Sequence, residues 1–271
     1  VYKPEKNRYH LYVSYACPWA HRTLIFRHLK KLENHISVDY VHPDMLENGW
    51  SFSNNFPKTT GDSLHLKSFI HEIYQLSDKK VSSKATVPIL WDKKTNTIVN
   101  NESAEIIRIM NSAFNKITKN FDDYYPSNLR PEIDRINKIT YENINNGVYK
   151  SGFSKTQSAY EDAVKKLFSS LEMIDEILKG KEYLVGNQLT EADIRLIPTL
   201  LRFDSVYHVH FKCNLKKISE FKNISHYVKK LFNIPAIHST TDFDHIKRHY
   251  YFSHESINPN RIIPLGPDKP F

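Results

Sequence analysis

A mixed α/β domain followed by an all-helical domain is the fold class this sequence predicts, and three observations predict it. Strand and helix signals alternate through the first hundred residues. After about residue 128 the strand signals stop and helical patterns alone remain. The length, 271 residues, is too great for one small domain and comfortable for two. The expected domains are residues 1–118 and 128–271, with Asp122-Asp123-Tyr124-Tyr125-Pro126 in the linker between them.

In the first half, Tyr9-His10-Leu11-Tyr12-Val13 reads as a strand and 18–32 as an amphipathic helix. Residues 36–41 give a second strand, followed by a loop at Asn48-Gly49 and a helical stretch at 64–75. Residues 86–91 and 96–99 form a hairpin pair, and 102–111 another helix. The order β-α-β-α-β-β-α suits a small mixed sheet with helices packed on it. In the second half, helices are expected over 131–148, 157–178, 191–207, 225–232 and 236–250. The start at 191 is the best specified: Thr190 stands at the N-cap and Asp193 at N3, with Leu189 and Ile194 placed for a hydrophobic staple. Losing Thr190 should cost about 1 kcal/mol.

Composition removes several functions. No apolar run approaches the roughly 18 residues a spanning helix needs, so no membrane role is expected. Residues 1–8 are polar and carry no secretory signal; the first residue is Val, so an upstream segment is expected to have been cut away. The net charge of +8 comes from scattered Lys and Arg rather than a stripe. Its densest cluster, Ile246-Lys247-Arg248-His249-Tyr250-Tyr251, reads as a partly solvated helix with aromatics facing a pocket or the core. Nucleic acid is therefore not an expected partner, and an anionic small molecule is. Two cysteines are too few for a disulfide framework and indicate a reducing, cytoplasmic compartment. Neither belongs to a spaced Cys/His set, so no metal site is expected.

The chemistry centres on Tyr15-Ala16-Cys17-Pro18-Trp19-Ala20, between a strand and a helix. Pro18 fits the first helical position, which puts Cys17 at the N-cap against free N–H groups and the positive end of the helix dipole. That setting favours the thiolate, the nucleophile needed to attack sulfur. Ala20 stands where a resolving cysteine would, so a mixed disulfide on Cys17 must be cleared by an outside thiol, for which glutathione is the obvious supplier. Cys213 lacks such a setting and reads as packed and unreactive. Val87-Pro88 opens a strand, and a cis bond there would turn the Val87 N–H and C=O outward to an extended peptide. Asn101-Glu102-Ser103 opens a helix whose N–H groups and Ser103 hydroxyl suit a carboxylate, while Glu102 suits an ammonium. These are the needs of a γ-glutamyl group.

With these residues in order, the chain resembles the glutathione transferase superfamily, whose fold is a thioredoxin-like domain followed by an all-helical one. A cysteine in place of Tyr or Ser is similar to the omega-like, cysteine-type members. Tyr15 through Arg22, Asn145-Asn146-Gly147-Val148-Tyr149-Lys150-Ser151-Gly152-Phe153, Phe211-Lys212-Cys213-Asn214, His245 through Tyr251 and Ile257-Asn258-Pro259 resemble the Xi class, the glutathionyl-hydroquinone reductases. The resemblance implies reduction of glutathionyl-hydroquinones through a Cys17–glutathione disulfide, with thiol-transferase and dehydroascorbate reductase side activities. It implies Cys17 as nucleophile, Trp50 beside glutathione, Val87, Glu102 and Ser103 as the peptide-binding set, and Tyr149 and Tyr250 at the quinol oxygens. It also implies a homodimer formed through the helical domains. Where the family has Gly-Arg-x-Thr-Val-Pro, this chain has Ser83-Lys84-Ala85-Thr86-Val87-Pro88. Lys84 keeps the charge but not the bidentate fork, so weaker glutathione binding is expected. Two alternatives stand beside this reading. One is an omega-like transferase that conjugates or deglutathionylates other electrophiles, which the reactive Cys17 disfavours. The other is a non-enzymatic module, which the complete site set disfavours.

Overall fold

The computed structural model describes residues 2–82, 84–268 and 271; Ser83, in the segment quoted above, lies outside the described residues. The chain divides into two compact units, one of residues 1–122 with 239–249, the other of residues 123–238 with 250–271.

The first unit is built on a four-stranded sheet in the order β2-β1-β5-β6, from β1 (Tyr9–Val13), β2 (Ile36–Tyr40), β5 (Ile89–Asp92) and β6 (Thr97–Asn100). β1 pairs in parallel with β2 and antiparallel with β5, and every one of its residues is buried, as befits a central strand. Helix α1 (Pro18–Leu29) follows β1. The small hairpin β3 (Met45–Leu46) and β4 (Gly49–Trp50) turns at Gly49, whose φ of 75° favours glycine. Helices α2 (Ile70–Ser77), α3 (Ser103–Ser112) and α4 (Asn115–Thr118) complete the chain to residue 122. At the sheet's end the Arg8 guanidinium forks onto buried Asp92, with Nε–Oδ1 at 2.8 Å and Nη2–Oδ2 at 2.6 Å.

Two expectations shift here. The helix read at 64–75 begins only at Ile70. Asp62 accepts from the N–H groups of Leu64, His65 and Lys67 at 3.1, 3.2 and 2.9 Å, which holds 63–67 in a turn. That is the usual competition of a short polar side chain with the helical ladder. The strand read from 86 begins at Ile89, after the cis Val87–Pro88 bond.

The second unit is helical: α5 (Arg130–Thr140), α6 (Gly147–Gly152), α7 (Gln157–Ile177), α8 (Glu191–Arg202), α9 (Lys222–Phe232) and α10 (Pro235–His238). The helix expected at 131–148 is interrupted by a π-helical turn, Tyr141–Asn145, and the one expected at 191–207 ends in another, Phe203–Tyr207. The capping box expected at the start of α8 forms, with Thr190 at the N-cap and Asp193 at N3, and Asp193 gathers the most bonds. Its carboxylate accepts from Thr190 N and Oγ1 at 2.8 and 2.9 Å, and from Leu184 N and Tyr227 Oη, both at 2.9 Å. Cys213 is fully buried, and burial pushes its thiol up to about 12. No helix among the described residues is long and apolar enough to cross a membrane, and no group of three or more His, Cys, Asp or Glu there could hold a metal ion.

The single helix expected at 236–250 is two. It breaks at 239–242, and α11 (Phe243–Ser253) starts afresh where Asp242 Oδ1 accepts from His245 N at 2.9 Å. Residues 239–249, read from sequence as part of the helical domain, pack with the first unit. His21 meets Thr240 at 3.1 Å, and Lys58 pairs with Asp242 at 2.6 Å.

Candidate active site

Cys17 takes its position from the turn that ends β1. Ser14 Oγ accepts from Ala16 N at 3.1 Å and Ser14 O from Cys17 N at 3.3 Å, so the chain reverses directly into Pro18 at the first helical position. Cys17 is the N-cap of α1 with extended backbone, φ −75° and ψ 120°, and its sulfur caps no helical N–H. No acidic residue occupies the first turn of α1 to oppose a negative charge there. Cys17 is 8% exposed, and its thiol donates instead to Val87 O, at 3.4 Å. Of the Val87 N–H and C=O groups expected to turn outward, the carbonyl faces Cys17. Ala20 is fully buried one helical step along, so the site holds a single thiol.

Of the residues expected to bind the peptide, Val87, Ser103 and Glu102 are linked to α1 or to one another by hydrogen bonds. Arg22, buried and lying 4.5 Å from the centre of the Trp19 ring, donates from Nη1 to Ser103 Oγ at 3.4 Å. It ties α1 to the start of α3. Glu102 is exposed at the N-cap of α3 and accepts from Ala104 N at 3.0 Å. Ser103 Oγ donates to the same Glu102 oxygen at 3.4 Å. Tyr74, which sequence reading passed over, joins this helix start to the Val87 segment. Its hydroxyl donates to Thr86 O at 3.1 Å and accepts from Asn101 Nδ2 at 3.0 Å. Its place on the buried side of α2, one turn after Ile70, was the available signal. Lys84 is exposed and meets no partner among the described residues. Trp50, at the end of β4, is nearly buried with its indole stacked on His249.

In the second unit the two predicted tyrosines meet directly. Tyr149 on α6 and Tyr250 on α11 have hydroxyls 2.5 Å apart. Tyr207, which sequence reading did not single out, joins them: its hydroxyl lies 2.9 Å from that of Tyr250, forming a chain of three phenols. Its signal was the i, i+4 spacing with Phe211, whose ring stacks on it at 5.5 Å and 12°. Burial, reinforced by the neighbouring phenols, raises Tyr250 well above the usual tyrosine range, so it remains a neutral hydrogen-bonding group. Gly152 is required where α6 passes Phe211, because a Cβ there would lie 2.2 Å from Phe211 Cδ1. Such a phenol group can stabilise charge on an aromatic oxygen.

Residues 16–113 match the family model for the glutathione S-transferase N-terminal domain, and residues 157–230 that for the C-terminal domain. The chain is 54% identical to glutathionyl-hydroquinone reductase YqjG of Escherichia coli K12, over 97% of its own length and 80% of the relative's. It is 51% identical to glutathionyl-hydroquinone reductase PcpF of Sphingobium chlorophenolicum, over 99% and 86%. Among solved structures, the glutathione-bound YqjG structure matches with a TM-score of 0.96 at 53% identity, covering 98% of this chain and 86% of that one. Glutathione transferase Xi 1 from Trametes versicolor matches at 0.97 and 51%, covering 99% and 94%.

Proposed function

Since the chain belongs to the glutathione transferase superfamily, among its Xi-class members, we propose that it reduces glutathionyl-hydroquinones to hydroquinones at the expense of glutathione. The observation that carries this is Cys17 at the start of α1 with no second thiol beside it. The names of the two relatives, both over 50% identical, support the hydroquinone as what is deglutathionylated.

In the proposed reaction the Cys17 thiolate attacks the sulfur of the conjugate. A Cys17–glutathione disulfide forms, the bond from sulfur to the aromatic ring breaks, and its electron pair stays with the ring, which takes up a proton as free hydroquinone. A second glutathione thiolate attacks the glutathione sulfur of the mixed disulfide. Glutathione disulfide leaves and Cys17 returns as thiolate. Val87, Glu102, Ser103 and Lys84 bind the peptide in this reading, and Trp50 lies beside it. Tyr149 and Tyr250 hydrogen-bond the quinol oxygens and stabilise the charge that bond cleavage leaves there. The thioredoxin-like part within 1–118 binds glutathione, and the helical part within 128–271 binds the quinol and forms a homodimer. Thiol transfer and dehydroascorbate reduction follow from the same thiolate. Neither cysteine is joined in a disulfide, which supports a reducing, cytoplasmic setting.

A conjugating transferase is disfavoured because a cysteine here competes for the very sulfur it would have to leave in place. The test is turnover of glutathionyl-menadiol with excess glutathione, followed by menadiol release. The parent turns over and Cys17→Ser does not. A Cys17→Ser protein as active as the parent refutes the thiolate mechanism.

A further inference from the structure

We infer that His249 is a positioning residue for Trp50, so that the first turns of α11 set the indole against which glutathione lies. The inference rests on the role proposed above for Trp50.

Trp50 has little local support. It ends the two-residue strand β4, which pairs with β3 at Met45↔Trp50 and Leu46↔Gly49 and passes on to a single bridge at Ser51↔Phe69. So short a strand pair is marginal by itself. A side chain on it keeps one orientation only if something distant in sequence holds it.

Helix α11 supplies that hold at consecutive positions. The His249 imidazole stacks on the Trp50 indole with centroids 4.7 Å apart and an interplanar angle of 20°. Each residue is only 6% exposed. The imidazole is itself fixed, because Nδ1 donates to Pro43 O at 2.8 Å. The preceding residue, Arg248, forks onto Asp44, with Nε–Oδ1 at 2.7 Å and Nη2–Oδ2 at 2.8 Å. Adjacent helix residues thus grip adjacent loop residues immediately before β3. One turn earlier, His245 Nε2 donates to Pro57 O at 2.6 Å. The loop that carries Trp50 is held on both sides of the indole, and His249 touches the indole itself. An aromatic side chain held this way binds a ligand without losing rotamer freedom at the moment of binding.

The test reads glutathione affinity by isothermal titration in a Cys17→Ser background, where no disulfide can form. His249→Leu and His249→Asn, which remove the ring, weaken binding about three- to tenfold, the usual worth of an aromatic pair. His249→Phe keeps the ring and binds within about twofold of the parent, which a loss of packing alone would not predict. When Trp50→Leu is already present, His249→Leu adds less than about twofold, because the residue acts through the indole. Equal weakening by His249→Leu with and without Trp50, or unaltered binding in His249→Leu and His249→Asn, overturns the inference. Should His249→Leu not fold, the pair Asn and Phe gives the same contrast. Absence of glutathione binding when His249 is native would instead refute the proposed function.

Discussion

Replacing Gly152 by alanine tests how the phenol group is held. The added Cβ would stand 2.2 Å from Phe211 Cδ1, 2.3 Å from Cγ and 2.8 Å from Cβ. Ordinary contact begins near 3.4 Å, so the Phe211 ring must retreat by 3.4 − 2.2 = 1.2 Å. The ring has no slack: it is fully buried, stacks on Tyr207 and packs on Tyr149 and Tyr250 at 5.4 and 5.7 Å. Overpacking of this kind costs about 1–3 kcal/mol. Alanine's better helix propensity returns about 0.5–1 kcal/mol at most. The steric cost therefore wins, and a net loss near 1–2 kcal/mol lowers the melting temperature by roughly 2–8 °C. Because the displaced ring supports the phenols, menadiol release falls while glutathione affinity holds. A Gly152→Ala protein as stable as the parent, with parental turnover, refutes the idea that Phe211 sets the phenol geometry.

Asp193→Ala strands the N–H groups of Leu184 and Thr190 and the Tyr227 hydroxyl in the interior. Urea denaturation should show a loss of about 3–5 kcal/mol, well beyond the ~1 kcal/mol of an ordinary cap. Hydrogen bonding from Arg8 holds Asp92 down to about 2, below its ordinary 3.8. The stability it contributes is present above pH 4 and is lost as pH falls from about 4 towards 2. Denaturation midpoints across that window should fall less steeply in Asp92→Asn; identical slopes would deny the linkage. Lys84→Arg restores the fork that suits a carboxylate and should tighten glutathione binding several-fold by titration calorimetry. No change would remove Lys84 from the site.

The legible part of the fold was its local part. The strand before Ser14, the proline-headed helix at Pro18 and the start of α8 rest on residue patterns a few positions long, and each forms where those patterns lie. The turn held by Asp62 and the break at 239–242 show periodicity overruled by side-chain bonding to backbone. Ser239-Thr240-Thr241-Asp242 was nonetheless a loop and cap signal in plain view. The two π-helical turns have no comparable signature. They delay the helical phase just before α6 and at Tyr207, near the phenols that meet Tyr250.

For the candidate site, the placements that are local were legible: Cys17 at the start of α1, and Glu102 and Ser103 at the start of α3. Tyr74, Tyr207 and His249 were not, because they meet partners 27, 43 and about 200 positions away. No local pattern encodes such a meeting. A tyrosine in a chain with sixteen of them is unremarkable until its hydroxyl is placed.

The most direct test of the central claim omits free glutathione. Protein is mixed with one equivalent of glutathionyl-menadiol, and quinol release and the intact mass are followed together. The account predicts one menadiol freed per chain and one glutathione disulfide-linked to Cys17, with added glutathione restoring the unmodified protein. Menadiol released with Cys17 unmodified, or a conjugate that stays intact beside a reduced Cys17, would contradict it.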